Sequence, residues 1–509
     1  MILNAKVNEM SAPVRSDENT FEISQAARKV LRNGGREQVI AWDGEWLDSS
    51  WLASAMGSLE ALLTGQKVVA VAARNRPLHV AATFANLASG RTTAMVPAGS
   101  RGAGLERAIR DGMGGVLIAD REDWSREALA RAREYNVRAL ASDEATGGFS
   151  ILHDPGRMLA CEPMSENALE LLSSGTTGRP KNIGLGWQTI SRAVADAGKA
   201  YAGSEANSPQ VMVHPLANVS GLAYAIPPLV FGKPLVLLDR FSVEGWAKAV
   251  HRYRPSRATL PPAGVAMLLD SDVPPDWLES LALVAVGGGK LPTEQQDAFE
   301  SRFGIPLLTA YGATEFAGVV ANWTLDEYRA RSKEKRGSSG RASSGVDLRV
   351  VAEDGSELHP GETGLLEARV ARMGPDWIRT TDLARLDEEG FLYIEGRADG
   401  AINRGGFTIV PDVLAEELRQ HPKVRDAAVV GMPDARLGEV PVAAVETVSG
   451  ATLDTGELLE WLRTRVASYQ VPVAVRVLEA LPRTQTMKIS LRDVSALFAS
   501  DQAARERTP

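Results

Sequence analysis

Apolar and polar positions alternate along the first third of the chain in blocks of two lengths. Val68-Val69-Ala70-Val71-Ala72 is a short apolar run that reads as a buried strand, Pro77 to Ser89 reads as a helix ending at Gly90, and Thr92 to Val96 is strand-like again. Helix-like Leu105 to Arg110, strand-like Val116 to Ala119, helix-like Arg126 to Glu134 and strand-like Val137 to Leu140 continue the series. This strand–helix–strand punctuation predicts parallel sheets covered by helices, the α/β class. Similar alternation runs from Val211 to Leu308.

After Gly337 the texture changes to short β-runs with the hairpin signals Asp354-Gly355 and Glu389-Gly390, which predict a small β subdomain over about 337–396. A fresh mixed pattern follows: strand-like Phe407 to Ile409, helix-like Val413 to Arg419, strands near Ala427 to Val430 and Val440 to Val445, and a helix from Gly456 to Val466. About a hundred residues suffice for an independent α+β lobe. The expected organisation is a large N-terminal domain over 1–396, a junction at 397–399, and a C-terminal lobe over 400–509.

With 509 residues and 44% hydrophobic content the chain can bury a large core. A net charge of −8 argues against a nucleic-acid or anionic-membrane surface. The basic run from Arg329 to Arg336 reads as a solvated face. The one cysteine, Cys161, excludes an intrachain disulfide and reads as a small buried apolar side chain in a reducing compartment. Met1 to Phe21 lacks the apolar stretch of a secretory signal, and Val211 to Leu238 is interrupted by His214, Lys233 and four prolines, so neither predicts a membrane segment. A cytoplasmic enzyme is expected, and with only some twenty residues after Lys488 it reads as stand-alone.

The stretch richest in chemistry is Leu172-Ser173-Ser174-Gly175-Thr176-Thr177-Gly178-Arg179-Pro180-Lys181. An apolar strand feeds a loop of glycines and hydroxyls that ends in a cation, the parts of a phosphate grip. It is not the G-x-x-x-x-G-K-[ST] loop, because Pro180 intervenes and Asn182 follows Lys181. Taken alone, such a cluster reads equally well as a surface turn.

Four further motifs follow in order: Tyr311-Gly312-Ala313-Thr314-Glu315, Arg379-Thr380-Thr381-Asp382-Leu383, Gly396-Arg397-Ala398-Asp399 and Arg404-Gly405-Gly406-Phe407. Lys488 comes last, after Leu481-Pro482-Arg483-Thr484. Together they resemble the adenylate-forming superfamily of acyl-CoA synthetases, peptide-synthetase adenylation domains and luciferases. The resemblance covers nearly the whole chain. It implies ATP-dependent activation of a carboxylic acid as acyl-AMP, followed by transfer to the thiol of CoA, with ATP/AMP, Mg2+ and CoA as cofactors.

The same resemblance implies roles residue by residue. Ser174 to Lys181 would hold the β- and γ-phosphates, Thr314 would touch the α-phosphate, and Glu315 would bind Mg2+. Tyr311 would stack on adenine, with Gly312 and Ala313 beside it, while Gly287-Gly288-Gly289 would let backbone approach both base and acyl group. Asp382 would accept from the ribose hydroxyls and Arg397 would reach ribose or phosphate. Lys488 would bridge the substrate carboxylate and the α-phosphate. Rotation about Asp399 would then remove Lys488 and bring in Arg404, Gly405, Gly406 and Phe407 as a tunnel for the pantetheine arm.

The chain departs from the family pattern in places. Asn182 and Met487 stand where glycines are usual, Leu491 stands where an arginine is often found, and Val413 and Ala415 replace common glutamates. The acyl-pocket histidine is Asn218, next to Val219 and Gly221, and His214 nearby reads as strand packing. Three alternatives stand beside the two-step ligase: thioesterification of a supplied acyl-AMP, which these departures keep open, loading of a free phosphopantetheinylated carrier protein, and a catalytically inactive nucleotide-binding protein.

Overall fold

The computed structural model describes residues 22–32, 35–97, 103–156, 166–173, 181–201, 208–404, 407–434, 437–463, 465–466, 469–484 and 487–505. A seven-stranded sheet dominates the N-terminal half. Its order is Gly148–His153, Arg138–Asp143, Val116–Asp120, Val68–Ala73, Thr92–Pro97, Asn167–Ser173, Lys181–Gly186. The five inner strands run parallel, as the short apolar runs predict, and an antiparallel strand closes each edge. Neither edge strand is legible from periodicity; Gly148–His153 has no fully buried position to mark an inward face.

Helix Pro77–Ser89 is buried from Pro77 to Ala88 because it lies against the sheet while helices Ile23–Arg32 and Ser49–Leu62 cover its other side. A helix without an exposed face reads as apolar all round. His79 on this helix is paired at both ring nitrogens: its Nδ1 accepts from Arg74 N at 2.8 Å, its Nε2 lies 2.9 Å from Ser142 Oγ, and Ser142 donates to Asp120 at 3.0 Å. Burial lowers the His79 pKa, so the ring works as a neutral relay. Arg76 carries the network outward to Asp239 at 3.0 Å, past a second sheet ordered Gln210–Met212, Leu235–Leu237, Ile40–Trp42, Glu45–Leu47.

A five-stranded sheet follows, ordered Arg257–Leu260, Leu283–Val286, Leu307–Ala313, Gly318–Asn322, Arg341–Ala342. Next comes an antiparallel meander of Val346–Val351, Gly364–Val370, Trp377–Leu386 and Leu392–Arg397. The C-terminal segment forms its own sheet around the long pair Val424–Asp434 and Gly438–Thr447, covered by helices Pro411–Arg419 and Leu491–Arg505.

Two local readings of the sequence need correction. Pro227 and Pro228, read as interruptions, fall inside helix Val219–Val230, close to its C-terminal end. The basic run is more than a solvated face: Lys335 pairs with Asp387 at 3.0 Å and Glu389 at 2.7 Å, and Arg331 pairs with Glu389 at 2.7 Å, pinning helix Leu325–Arg331 to the turn at 387–390. Among the described residues no helix is long and apolar enough to cross a membrane. Cys161 lies outside the described residues.

Candidate active site

Strand Leu307–Ala313 carries Tyr311, Gly312 and Ala313 to its end, and a single turn, Thr314–Phe316, reverses it into Gly318–Asn322. The reversal is tight. A Cβ on Gly312 would sit 2.4 Å from Gly318 O, so glycine is required there, and the register slips between Tyr311 and Gly312. Arg372 clamps the turn from behind, donating from Nε to Phe316 O at 2.9 Å and from Nη2 to Val319 O at 2.7 Å. Glu315 is left exposed at the tip, and Thr314 is half-buried beside it.

Asp382 meets this turn from the meander. The Tyr311 hydroxyl donates to its Oδ2, and Arg397, its register partner on the neighbouring strand, sets Nε 3.8 Å from Oδ1. Arg397 is itself held by a 2.6 Å bond from Nη2 to Thr381 Oγ1. Burial, then the charge of Asp382, raises the Tyr311 pKa, so the phenol remains a hydrogen-bond donor. The carboxylate is thereby fixed in orientation before any ligand arrives.

Lys488 projects from a small hairpin. Thr484 N donates to Lys488 O at 2.7 Å, Met487 N donates to Thr484 O at 2.9 Å, and Arg483 anchors the base to Asp426 at 2.7 Å. The lysine Cε lies 3.8 Å from where a Cβ on Gly288 would be. Gly288 has φ +82°, which favours glycine, whereas Gly287 and Gly289 have only ordinary contacts at 3.5 Å. Lys488 keeps a solvent-facing side, yet protein crowds it: burial lowers its pKa, Arg397 lowers it further, and Asp382 and Glu315 oppose them. Charges at 315, 382, 397 and 488, distant in sequence, thus act on one point.

Met487, where the family pattern has glycine, adopts φ +62°. An unbranched side chain in this left-handed region costs roughly 1 kcal/mol. Met487→Gly is therefore expected to leave the melting temperature unchanged or higher and to speed adenylation by a few-fold; a slower ATP–pyrophosphate exchange in that variant would show that the methionine side chain, not its backbone, serves the loop.

The far side of the site is helix Val219–Val230. Asn218 occupies its N-cap without a side-chain bond to the helix, and Leu216 N donates to the buried Asn75 Oδ1 at 2.8 Å. Gly221 is forced, since a Cβ there would sit 2.0 Å from Pro215 O. Val219 is half-buried five residues before Tyr224, whose ring stacks on His214 with centroids 5.1 Å apart and planes 16° from parallel. Burial and then the Lys488 charge push His214 down to about 4. His214 therefore stacks on helix Val219–Val230 and feels the Lys488 charge, in addition to following strand Gln210–Met212.

Ser174, Gly175, Thr176, Thr177, Gly178, Gly405 and Gly406 lie outside the described residues; of Lys181 and Phe407 only the backbone is described, at the start of strands Lys181–Gly186 and Phe407–Ile409, and Asp399 falls in the turn Ala398–Gly400. Arg404 Nη1 donates to Tyr469 O at 2.7 Å and Val471 O at 3.0 Å, so in this arrangement it braces the C-terminal lobe. Among the described residues no group of three or more His, Cys, Asp or Glu forms a metal site. Sequence reasoning misses Arg372 and the bond from Arg397 to Thr381, since contacts across strands are not encoded in any local motif.

Residues 43–373 match the AMP-binding enzyme family, and residues 415–488 match the AMP-binding enzyme C-terminal domain. The chain belongs to the AMP-binding enzyme family. This AMP-binding enzyme is 32% identical over 404 residues to an indoleacetate–CoA ligase from Aromatoleum aromaticum, covering 74% of this chain and 76% of that protein. It is 30% identical over 421 residues to a feruloyl-CoA synthase from Amycolatopsis, covering 77% and 81%. In fold it resembles ATP-bound MatB from Rhodopseudomonas palustris, with a TM-score of 0.79 at 20% identity over 93% of this chain and 99% of that one. The AMP-binding enzyme is an acid–thiol ligase: ATP activates a carboxylic acid as the acyl-AMP, and the acyl group then passes to CoA.

Proposed function

We propose that the acyl-AMP forms between Gly288, Tyr311, Asp382 and Lys488. The observation that carries this reading is that Arg397 pairs with Asp382 and that Arg397, Asp382 and Glu315 all act on the Lys488 charge. Bringing an acid and ATP together joins two anions, so the site must supply positive charge where oxygen attacks phosphorus. Lys488 and Arg397 supply it. Asp382, already oriented by Tyr311, offers acceptors to the ribose hydroxyls. Mg2+ prefers oxygen ligands and keeps few protein contacts, which suits the lone exposed Glu315 together with phosphate oxygens. The motif from Ser174 to Lys181 is proposed, from its sequence, to supply the β- and γ-phosphate contacts.

The acid is proposed to be aromatic, a reading supported by relatives named for indoleacetate and feruloyl ligation. Candidate acids tested by ATP–pyrophosphate exchange check the assignment. Mass spectrometry of products with CoA and with phosphopantetheinylated carrier protein then separates ligase from carrier loading.

The second half-reaction requires Lys488 to leave, and the proposed hinge is at Asp399, between a large N-terminal domain and the C-terminal lobe. Two ion pairs favour the Lys488-inward arrangement: Arg425–Asp270 at 2.7 Å and Lys290–Glu416 at 3.7 Å. Partly exposed pairs contribute at most about 1 kcal/mol each. Asp270→Asn should therefore slow adenylation by about 2- to 5-fold and spare thioester formation from supplied acyl-AMP, with the difference fading at high salt. Equal slowing of both half-reactions would argue against a latch.

A further inference from the structure

Two polar groups near Lys488 have no duty in binding the nucleotide. We propose that the stacked His214–Tyr224 pair selects the acyl group, taking a planar aromatic carboxylic acid that bears a hydrogen-bonding ring substituent. The proposal rests on the acyl-AMP site assigned above and names its substrate class from this chain's own residues.

Three observations carry it. First, His214 follows strand Gln210–Met212 and Tyr224 lies on helix Val219–Val230, and that helix packs against Gly318–Asn322, the antiparallel partner of the strand bearing Tyr311. The pair therefore stands at the acyl end of the same cleft. Second, no described residue hydrogen-bonds the His214 ring nitrogens or the Tyr224 hydroxyl. Both residues are half-buried, so a bound ligand can reach these groups and pair with them. Third, both are neutral: burial and Lys488 hold His214 at about 4, and burial pushes Tyr224 up to about 12. A neutral imidazole and a phenol can each donate and accept, which matches a ring hydroxyl or N–H.

Shape agrees with chemistry. The stacked rings offer a flat face, and Gly288 brings backbone without a side chain to the same lysine, an arrangement that makes a slot suited to a planar group. An aliphatic acid would fill that slot poorly and leave both polar groups unpaired. Each unpaired group carries a penalty equivalent to roughly 5- to 150-fold in kcat/KM.

The test measures CoA-ligation kcat/KM with 4-hydroxyphenylacetate, indole-3-acetate, phenylacetate and hexanoate for the wild type, Tyr224→Phe and His214→Leu, with melting temperature followed in parallel. The wild type should prefer the two polar-ring acids by at least about 10-fold over phenylacetate and further over hexanoate. Tyr224→Phe, a conservative change, should erase most of that preference while leaving phenylacetate within about 2-fold. His214→Leu should do the same. Equal use of hexanoate by the wild type, or an unchanged ranking in both variants, overturns this proposal alone. Absence of pyrophosphate exchange with every acid in the wild type overturns it together with the acyl-AMP assignment.

Discussion

Lys488→Ala should lower ATP–pyrophosphate exchange by roughly a thousand-fold while reducing thioester formation from supplied acyl-AMP by less than about 10-fold. The asymmetry follows from geometry. Lys488 reaches the Gly288 backbone from a hairpin of the C-terminal lobe, among Arg397, Asp382 and Glu315, where its charge can meet the oxygen that attacks phosphorus. Thioester formation has no such need, because the new bond forms at carbon and pyrophosphate is gone. An independent readout accompanies the kinetics. The Lys488 charge is one of two causes that depress His214, so in Lys488→Ala the imidazole should titrate higher than in the wild type. NMR of the imidazole resonances checks this; a pKa that stays put would separate His214 from the lysine and weaken the placement of both. Equal loss in both half-reactions would show that Lys488 supports the fold rather than adenylation.

Gly221→Ala should be the most damaging single-methyl change in the acyl half of the site. The added carbon would lie 2.0 Å from Pro215 O, 2.5 Å from Pro215 C and 2.7 Å from Leu216 Cα, all backbone atoms that cannot rotate away. Helix Val219–Val230 would have to shift at its first turn, carrying Tyr224 off His214 and straining the Leu216–Asn75 bond. A cost of about 3–5 kcal/mol is expected, seen as a lower melting temperature and near-complete loss of ligation. Gly289→Ala is the matched control. Its nearest neighbour would be Pro262 at 3.5 Å, an ordinary contact, so its stability should change by less than about 1 kcal/mol. If the two substitutions melt alike, the close approach at Gly221 is not what sets this corner.

The N-terminal strands and helices are legible because each buried run carries its own period: helices Pro77–Ser89 and Arg126–Glu134 stand where the pattern places them. Motif residues are legible for a different reason. A carboxylate beside threonines at Asp382, or an arginine after Gly396, belongs to a short local arrangement whose chemistry survives without the fold. What stays hidden depends on contacts across distance. Arg76 reaching Asp239, Arg372 clamping the turn after Thr314, and His214 lying flat on Tyr224 each join segments that no local spacing relates. The left-handed backbone at Met487 is hidden too, since an unbranched residue gives no sign of a conformation that glycine would advertise.

The central claim is that one cleft gathers an acyl adenylate, and a crystal structure with a hydrolysis-resistant acyl-sulfamoyl adenosine addresses it most directly. The account predicts adenine against Tyr311, ribose hydroxyls on Asp382, the sulfamoyl group within hydrogen-bond reach of Lys488, and the acyl ring between His214 and the Gly287–Gly289 backbone. A ligand bound with Lys488 and Asp382 on opposite sides of the molecule, sharing none of its atoms, would contradict it.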